Sequence, residues 1–155
     1  MIGNDIVDLR QAALESNWRR KGYLNKLFTK NEQQWILEAS NPGQMVWLLW
    51  SMKEAAYKIY SRRKTWRAFA PLKLICKTLE IKEELAIGSV ECESHTFFSQ
   101  TMLTAQFIHT IATEQHPMQA ITVKITGYNP TDTSYRNTDP ATVSHHGRYL
   151  ALAYV

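Results

Sequence analysis

The stretch QMVWLLWSMKEAAYKIYSRR, residues 44–63, predicts one long helix from the spacing of its apolar residues. These side chains recur every three or four residues and form a single stripe: Met45, Leu48, Leu49, Met52, Ala56 and Ile59. At about 100° of rotation per residue, another face carries Trp47, Ser51, Glu54 and Lys58. Glu54 and Lys58 lie four residues apart, so they form either an ordinary surface ion pair or part of a site.

Shorter elements are predicted before this helix. Residues 1–9 favour a strand, and residues 10–20 favour a helix. Thr29 and Glu32 have the spacing of a capping box, which predicts a further helix over residues 30–39.

After Pro71 the pattern changes to β-forming residues. It predicts strands over the following ranges: 72–79, 86–92, 97–109, 120–126 and 141–155. Residues 101–113 could instead be helical, and residues 127–140 indicate an exposed loop. We therefore expect an α+β fold, a single domain over residues 1–155, with the N-terminal strand and helices packed on an antiparallel-leaning sheet.

The composition excludes several classes of protein. With 45% hydrophobic and 21% charged residues, the chain is neither wholly disordered nor collagen-like, and no apolar run is long enough to span a membrane. Cys76 and Cys92 are too few for a metal site of their own and are expected to be buried free thiols. Because Asp5 stands where a signal peptide would carry basic residues, we expect a cytoplasmic protein.

Charge is unevenly distributed along the chain. Residues 1–80 carry 14 Lys and Arg against 7 Asp and Glu, a net charge of +7, whereas residues 81–155 carry a net charge of −3. The basic half is either a solvated helical surface or a surface for an anionic partner, such as a phosphorylated small molecule, an acidic protein or nucleic acid.

An acidic side chain interrupts the first strand. Burying Asp5 would cost free energy unless the carboxylate were paired or bound to a metal, although an edge position facing water is the simpler alternative. Asp5 and Glu54, from two elements, could together bind Mg²⁺ with phosphate oxygens and water. Asp8 is expected near the positive end of the following helix.

The segment SHHGRY, residues 144–149, offers further polar groups. Adjacent histidines on a strand point to opposite faces, so His145 and His146 do not indicate a zinc site. Ser144 and His145 could instead donate hydrogen bonds to an anion. The sequence contains neither a glycine-rich phosphate loop nor the nucleophile elbow of a hydrolase.

Three segments, in order along the chain, resemble one family. IGNDIVDL (residues 2–9) resembles the opening strand of the small holo-acyl-carrier-protein synthases. WSMKEAAYK (residues 50–58) is similar to the Trp-x-x-Lys-Glu-Ala-x-x-Lys signature of the 4′-phosphopantetheinyl transferase superfamily, and VSHHGRY (residues 143–149) is similar to its Ser-His-x-Gly-Arg strand. The segment from Leu27 to Glu32 also resembles the family's Phe/Leu-Thr-x-x-Glu helix start.

The resemblance implies an enzyme that transfers 4′-phosphopantetheine from coenzyme A to a serine of an apo carrier protein and releases 3′,5′-ADP. Asp5 and Glu54 match the Mg²⁺ ligands of the family. Glu54, directly or through a water, would take the proton of the serine. Lys58 is expected at the phosphates, and Lys53 matches the other lysine of the signature, which we expect to assist coenzyme A binding.

Further expectations follow from the same resemblance. Ser144 and His145 match residues that contact the coenzyme A phosphates. The small synthases are trimers with sites between subunits, so a homotrimer would place Ser144 and His145 on the neighbour of the chain that holds Asp5 and Glu54. An acidic acyl carrier protein would dock on the basic segment of residues 10–30.

The sequence also departs from the family pattern. Gln11 replaces a common arginine, His146 replaces a common acid, and residues 59–63 replace a glycine-rich nucleotide-binding loop. Two alternatives stay open: a non-catalytic relative that binds coenzyme A or a carrier protein, and a basic nucleic-acid-binding domain, which would bind with steep salt dependence. We expect the transferase, with no nucleic-acid or membrane partner; the sequence specifies neither the carrier protein nor Mg²⁺ over Mn²⁺.

Overall fold

The computed structural model describes residues 1–65 and 68–155. Its helices are α1 (Leu9–Glu15), α2 (Tyr23–Leu27), α3 (Lys30–Glu38) and α4 (Pro42–Lys64). Its strands are β1 (Ile2–Asp8), β2 (Ile75–Lys82), β3 (Leu85–Cys92), β4 (His95–Leu103), β5 (Phe107–Thr113), β6 (Thr122–Gly127), β7 (Thr142–His146) and β8 (Tyr149–Tyr154). Short 3₁₀ turns occupy Pro71–Lys73 and Ser134–Thr138.

The strands form two antiparallel sheets. Five strands pair in the order β1-β5-β4-β3-β2, and three pair in the order β6-β8-β7. Every neighbouring pair is antiparallel. The predicted α+β class, with N-terminal strand and helices on an antiparallel sheet, is confirmed.

Helix α4 lies across one face of the five-stranded sheet and forms the centre of the core. The predicted apolar stripe is confirmed, since Leu48, Leu49 and Met52 are fully buried. Burial extends beyond the stripe, because Ser51, placed by the periodicity on the polar face, is also buried against β1. Gly3 permits this close approach: a side chain there would collide with the backbone oxygen of Ala55.

Side-chain caps set the helix boundaries. The capping box of Thr29 and Glu32 begins α3 as predicted, and Asn41 caps α4 through the backbone N–H of Gln44 at 3.1 Å. Asp8 caps α1, which confirms its expected position at a helix start. These caps fix where β1 ends and where α4 begins, and thus the position of the surface between them.

Three strand predictions and one helix prediction are wrong in their boundaries. The strand predicted over residues 72–79 begins only at Ile75, after a 3₁₀ turn, and continues to Lys82. Residues 97–109 contain a turn between β4 and β5, in which Thr104 Oγ1 accepts hydrogen bonds from the N–H groups of Gln106 and Phe107. Residues 101–113 are therefore strand and turn rather than helix. Residues 141–155 form a hairpin, which Gly147 turns with a φ of +52°. Helix α1 ends at Glu15, and α2 follows it as an unpredicted helix.

The two sheets meet where β1 lies beside β7, and side chains join them. The backbone N–H of Ile6 donates to Ser144 Oγ at 3.1 Å, and that of Asp8 donates to His146 Nδ1 at 2.9 Å. From α4, Arg62 Nη1 donates to the carbonyl of Ile2 at 2.8 Å. This junction brings the C-terminal motif against the N-terminal strand in one chain.

Two other predictions concern burial and membranes. Cys76 and Cys92 are buried free thiols, as expected. In the described part of the chain, no helix combines the length and the hydrophobicity that a bilayer crossing would need.

Candidate active site

A pocket of about 550 Å³ opens where β1, α4 and β7 meet. It brings together five of the predicted site residues: Asp5, Glu54, Lys58, Ser144 and His145. Three aromatic side chains that were not predicted to belong to the site also line this pocket: Tyr23, Trp47 and Trp50. Trp47 was predicted on the same helix face as Glu54 and Lys58, which was the available signal for it.

Asp5 lies at the bottom of this pocket, on β1, with 9% of its surface exposed. Its Oδ1 accepts a hydrogen bond from Ser144 Oγ at 3.4 Å, whereas its Oδ2 has no hydrogen-bond partner among the described residues. Burial raises the pKa of Asp5 to about 6, against the opposing charge of Lys58. A buried carboxylate oxygen without a partner is costly, so this atom is a natural place for a ligand.

Glu54 reaches the same pocket from α4 and is half-buried. Burial, followed by the negative charge of Asp5, raises its pKa to about 7, and Lys58 acts in the opposite direction. The charge of Asp5 therefore disfavours the ionisation of Glu54 in the protein alone. A cation between them would reverse that effect.

Lys58 closes the pocket on the side of β7. Its Nζ donates to the backbone carbonyl of Asn4 at 2.6 Å and to that of Val143 at 3.2 Å. Burial lowers the pKa of Lys58, while Asp5 and Glu54 raise it. An ammonium group has three N–H donors, and two of them have acceptors among the described residues, so the third is available to a ligand.

Ser144 and His145 reach the pocket from β7 of the same chain. Ser144 Oγ is held between the backbone of Ile6 and the carboxylate of Asp5. His145 is exposed, and its ring stacks on Tyr128 with 4.1 Å between the centroids. The expectation that a neighbouring subunit supplies both residues is wrong for the chain described here, because one chain contributes them beside Asp5 and Glu54.

Lys53 is not brought to this pocket. It is fully buried, and its Nζ donates to Glu32 Oε1 at 2.7 Å and to the carbonyls of Leu27 and Pro71 at 2.9 and 2.8 Å. All three of its N–H donors are thus engaged within the protein. This position does not offer Lys53 to coenzyme A, in contrast to the expectation from the helix signature.

The Gly-Arg part of the C-terminal motif holds the pocket's edge in place. The Arg148 guanidinium donates two hydrogen bonds of 3.0 Å to the Asp8 carboxylate. These bonds hold the pKa of Asp8 well below its usual range. A side chain at Gly147 would collide with the Asp8 carboxylate. The motif therefore fixes β7 and β8 against the junction of β1 and α1, a role that the sequence pattern did not reveal.

Gln11 and His146, two residues that depart from the family pattern, both contact Glu15. Gln11 Nε2 donates to Glu15 Oε1 at 2.8 Å, and His146 Nε2 lies 3.0 Å from Glu15 Oε2. These contacts lower the pKa of Glu15, with His146 as the larger cause. The third departure is structural, since residues 59–63 continue α4 as a helix rather than forming a loop.

The donor set fits a hard divalent cation. Carboxylate oxygens are the protein ligands that Mg²⁺ prefers, and it keeps several water ligands when it binds phosphates. Within residues 1–65 and 68–155, no three His, Cys, Asp or Glu side chains come together as a ready-made metal site. Asp5 and Glu54 could therefore provide two ligands to such a cation, and a phosphate and water could fill the remaining coordination positions.

Comparison with known proteins identifies one family. The family model described as the 4′-phosphopantetheinyl transferase superfamily matches residues 1–112, a range that includes Asp5, Glu54 and Lys58. A search among curated proteins found no significant match.

Proposed function

Since the chain belongs to the 4′-phosphopantetheinyl transferase superfamily, we propose that it transfers 4′-phosphopantetheine from coenzyme A to a serine of an apo acyl or peptidyl carrier protein. Phosphopantetheine transfer, with coenzyme A and carrier proteins as partners, is the general activity of this superfamily. The observation that carries the proposal is the acid pair of Asp5 and Glu54 beside Lys58, with Asp5 Oδ2 unpartnered in the described structure.

The acid pair would hold Mg²⁺ between β1 and α4. Its raised pKa values and the unpartnered Oδ2 support this assignment, because both are relieved when a cation binds. When bound, Mg²⁺ supplies positive charge to the pyrophosphate of coenzyme A during phosphoryl transfer. Mn²⁺ accepts the same oxygen ligands, so the metal is part of the test.

The chain's own cations and hydroxyls would hold the phosphates. Lys58 lines the pocket and keeps one N–H donor beyond its two bonds to backbone carbonyls, and His145 lines the same pocket with an exposed ring. The Ser144 hydroxyl donates to Asp5 Oδ1 and would keep this carboxylate oriented beside the phosphates. Lys53 has a different role in this proposal: it stabilises the packing of α4 on α3.

Glu54 is suited to take the proton of the attacking serine. The serine oxygen would form a bond to the β-phosphorus of coenzyme A while the bond from that phosphorus to the 3′,5′-ADP oxygen breaks. The serine proton passes to the Glu54 carboxylate, and 3′,5′-ADP departs with the bonding electrons. A cation beside Glu54 would favour its ionised form, so that the carboxylate is available to accept this proton near neutral pH.

A basic surface lies next to the pocket for an acidic carrier protein. Its exposed cations lie between residues 10 and 30: Arg10, Arg19, Arg20, Lys21, Lys26 and Lys30. Tyr23 and Glu15, from the same segment, line the pocket itself. A carrier bound to this surface would present its serine to the acid pair, with charge complementarity increasing the rate of association.

A mass spectrum of the carrier tests this proposal. The protein is incubated with coenzyme A, Mg²⁺ or Mn²⁺, and a panel of apo carrier proteins, with and without a chelator. The proposal predicts that a carrier gains one phosphopantetheine only when the metal is present. A gain that persists in the chelator overturns the metal assignment, and coenzyme A binding without transfer to any carrier favours the non-catalytic alternative.

A further inference from the structure

A second groove of about 580 Å³ adjoins the acid-pair pocket. It lies between α1, the segment that follows α1 (residues 16–19), the N-terminal turns of α4 and the turn between β4 and β5. Ser16 and Trp47 line both cavities, so the groove begins where the acid-pair pocket ends. This volume falls within the usual range of about 300–1,000 Å³ for small-molecule sites.

The order of residues along α4 gives the combined cavity a direction. Trp47, Glu54 and Lys58 follow one another along the helix, and at about 1.5 Å per residue Trp47 lies roughly 10 Å along the axis from Glu54. Lys58 lies beyond Glu54 in the opposite direction, close to Ser144. A ligand with phosphates at Lys58 and its reacting phosphorus at the acid pair can therefore extend past Trp47 into the groove.

The groove walls combine apolar surfaces with amide groups. Leu9, Trp18 and Trp47 are half-buried, pack on the core and line the groove with part of their surface. Gln44 supplies an amide side chain that makes no hydrogen bond to any described residue. Such walls match a neutral chain in which methylene and methyl groups alternate with amides.

We propose that this groove binds the pantetheine arm of coenzyme A, with Trp47 at the point where the arm leaves the acid pair. The inference rests on the proposed function and adds to it a site for the half of the donor that is transferred. The arm consists of apolar segments and two amides, and it begins at the phosphorus that the acid pair would hold. The other molecule with access to this groove is the carrier protein, whose docking surface includes Arg19 at its edge.

The test compares coenzyme A with 3′,5′-ADP, which has the nucleotide but no arm. Ala13 is exposed and lines the groove without lining the acid-pair pocket, so Ala13→Trp fills the groove. Its neighbour Leu14 is 76% exposed and lines neither cavity, so Leu14→Trp is a matched control for bulk on α1. Dissociation constants of both ligands are measured by calorimetry in the presence of Mg²⁺.

The proposal predicts that Ala13→Trp weakens coenzyme A binding by about tenfold and leaves 3′,5′-ADP binding within about twofold of the wild type. Retained 3′,5′-ADP binding also shows that the variant is folded. Unchanged coenzyme A affinity in Ala13→Trp overturns the inference while the proposed function stands. A raised KM for the carrier alone would assign the groove to the carrier instead. Failure of the wild type to bind either ligand rejects the proposed function itself.

Discussion

Two lysines of α4, five residues apart, occupy opposite kinds of polar environment. Lys53 is enclosed in a complete network: its three N–H donors reach Glu32 Oε1 and two backbone carbonyls. Glu32 in turn accepts from the backbone N–H of Thr29 at 2.7 Å and of Cys76 at 2.9 Å. Every polar atom of this pair is satisfied within the protein, so it has nothing to offer a ligand.

The second environment, around Lys58, is incomplete. Lys58 donates only to backbone carbonyls among the described residues, Asp5 Oδ2 is unpartnered, and the carboxyls of Asp5 and Glu54 have raised pKa values. Folding leaves these groups in an unfavourable state that a cation and an anion would relieve. A buried charge is therefore a sign of binding only when the protein does not satisfy it.

Removing the Glu54 carboxylate from the acid pair of Asp5 and Glu54 should affect activity most. Glu54→Gln should reduce transfer to the carrier at least about a hundredfold, because both a metal ligand and the proton acceptor are lost. The free energy of unfolding should not decrease, since a neutral amide replaces a carboxyl whose ionisation burial disfavours. Carrier mass spectra and denaturant titrations measure the two effects. Normal turnover by this variant would remove Glu54 from the site.

The buried ion pair of Lys53 and Glu32 should affect stability rather than catalysis. Lys53→Met leaves the buried Glu32 without its counter-ion and should lower the free energy of unfolding by about 3–5 kcal/mol. The double variant Lys53→Met/Glu32→Gln should recover part of this loss, because the amide can still accept from Thr29. Urea unfolding measures both. A single variant as stable as the wild type would contradict the structural role of Lys53.

The affinity for coenzyme A tests whether Lys58 contacts the phosphates of the donor. Lys58→Ala should raise the dissociation constant for coenzyme A by about tenfold to a hundredfold, since a charge-assisted contact to phosphate is lost. Lys64→Ala, at the exposed end of the same helix, serves as the control and should change it little. Calorimetry gives both values, and equal affinities in the two variants would reject the phosphate role of Lys58.

The smallest expected effect is on the pH dependence of stability. The folded-state pKa values of Asp5 and Glu54, about 6 and about 7, lie above their ordinary values of 3.8 and 4.5. The folded protein therefore binds more protons in this window, and without metal its free energy of unfolding should fall as the pH rises from 5 to 8. Asp5→Asn should flatten this decline, as thermal unfolding in a chelator would show. An equally steep decline in the variant contradicts the assignment.

Much of the fold could be predicted from local patterns. The stripe of α4, the capping box at Thr29 and the cap at Asp8 all give local signals, and the structure confirms them. The turn at Thr104 could not be predicted in the same way. It contains neither Gly nor Pro and is made by the Thr104 side chain, so residues 97–109 have the pattern of one continuous strand.

The candidate acids could be predicted from the sequence, but their surroundings could not. An acid within an apolar strand and a Glu–Lys pair on a helix pointed to Asp5, Glu54 and Lys58, which the structure brings together. The different position of Lys53 was not predictable, because its counter-ion Glu32 has the spacing of a helix cap and nothing in that pattern indicates burial. Contacts between residues more than a hundred positions apart, such as that of Arg148 with Asp8, depend on the packing of β7 against β1.

The most direct test of this account is a calorimetric titration of Mg²⁺ into the coenzyme A-saturated protein, in the wild type and in Asp5→Asn. If Asp5 and Glu54 bind the metal, the wild type should have one Mg²⁺ site, and Asp5→Asn should lose at least about tenfold in Mg²⁺ affinity. Glu38→Gln, an exposed acid on α3, is the control and should bind Mg²⁺ like the wild type. Equal Mg²⁺ affinity in Asp5→Asn and the wild type, or no binding to either, would contradict the assignment of the acid pair as the metal site.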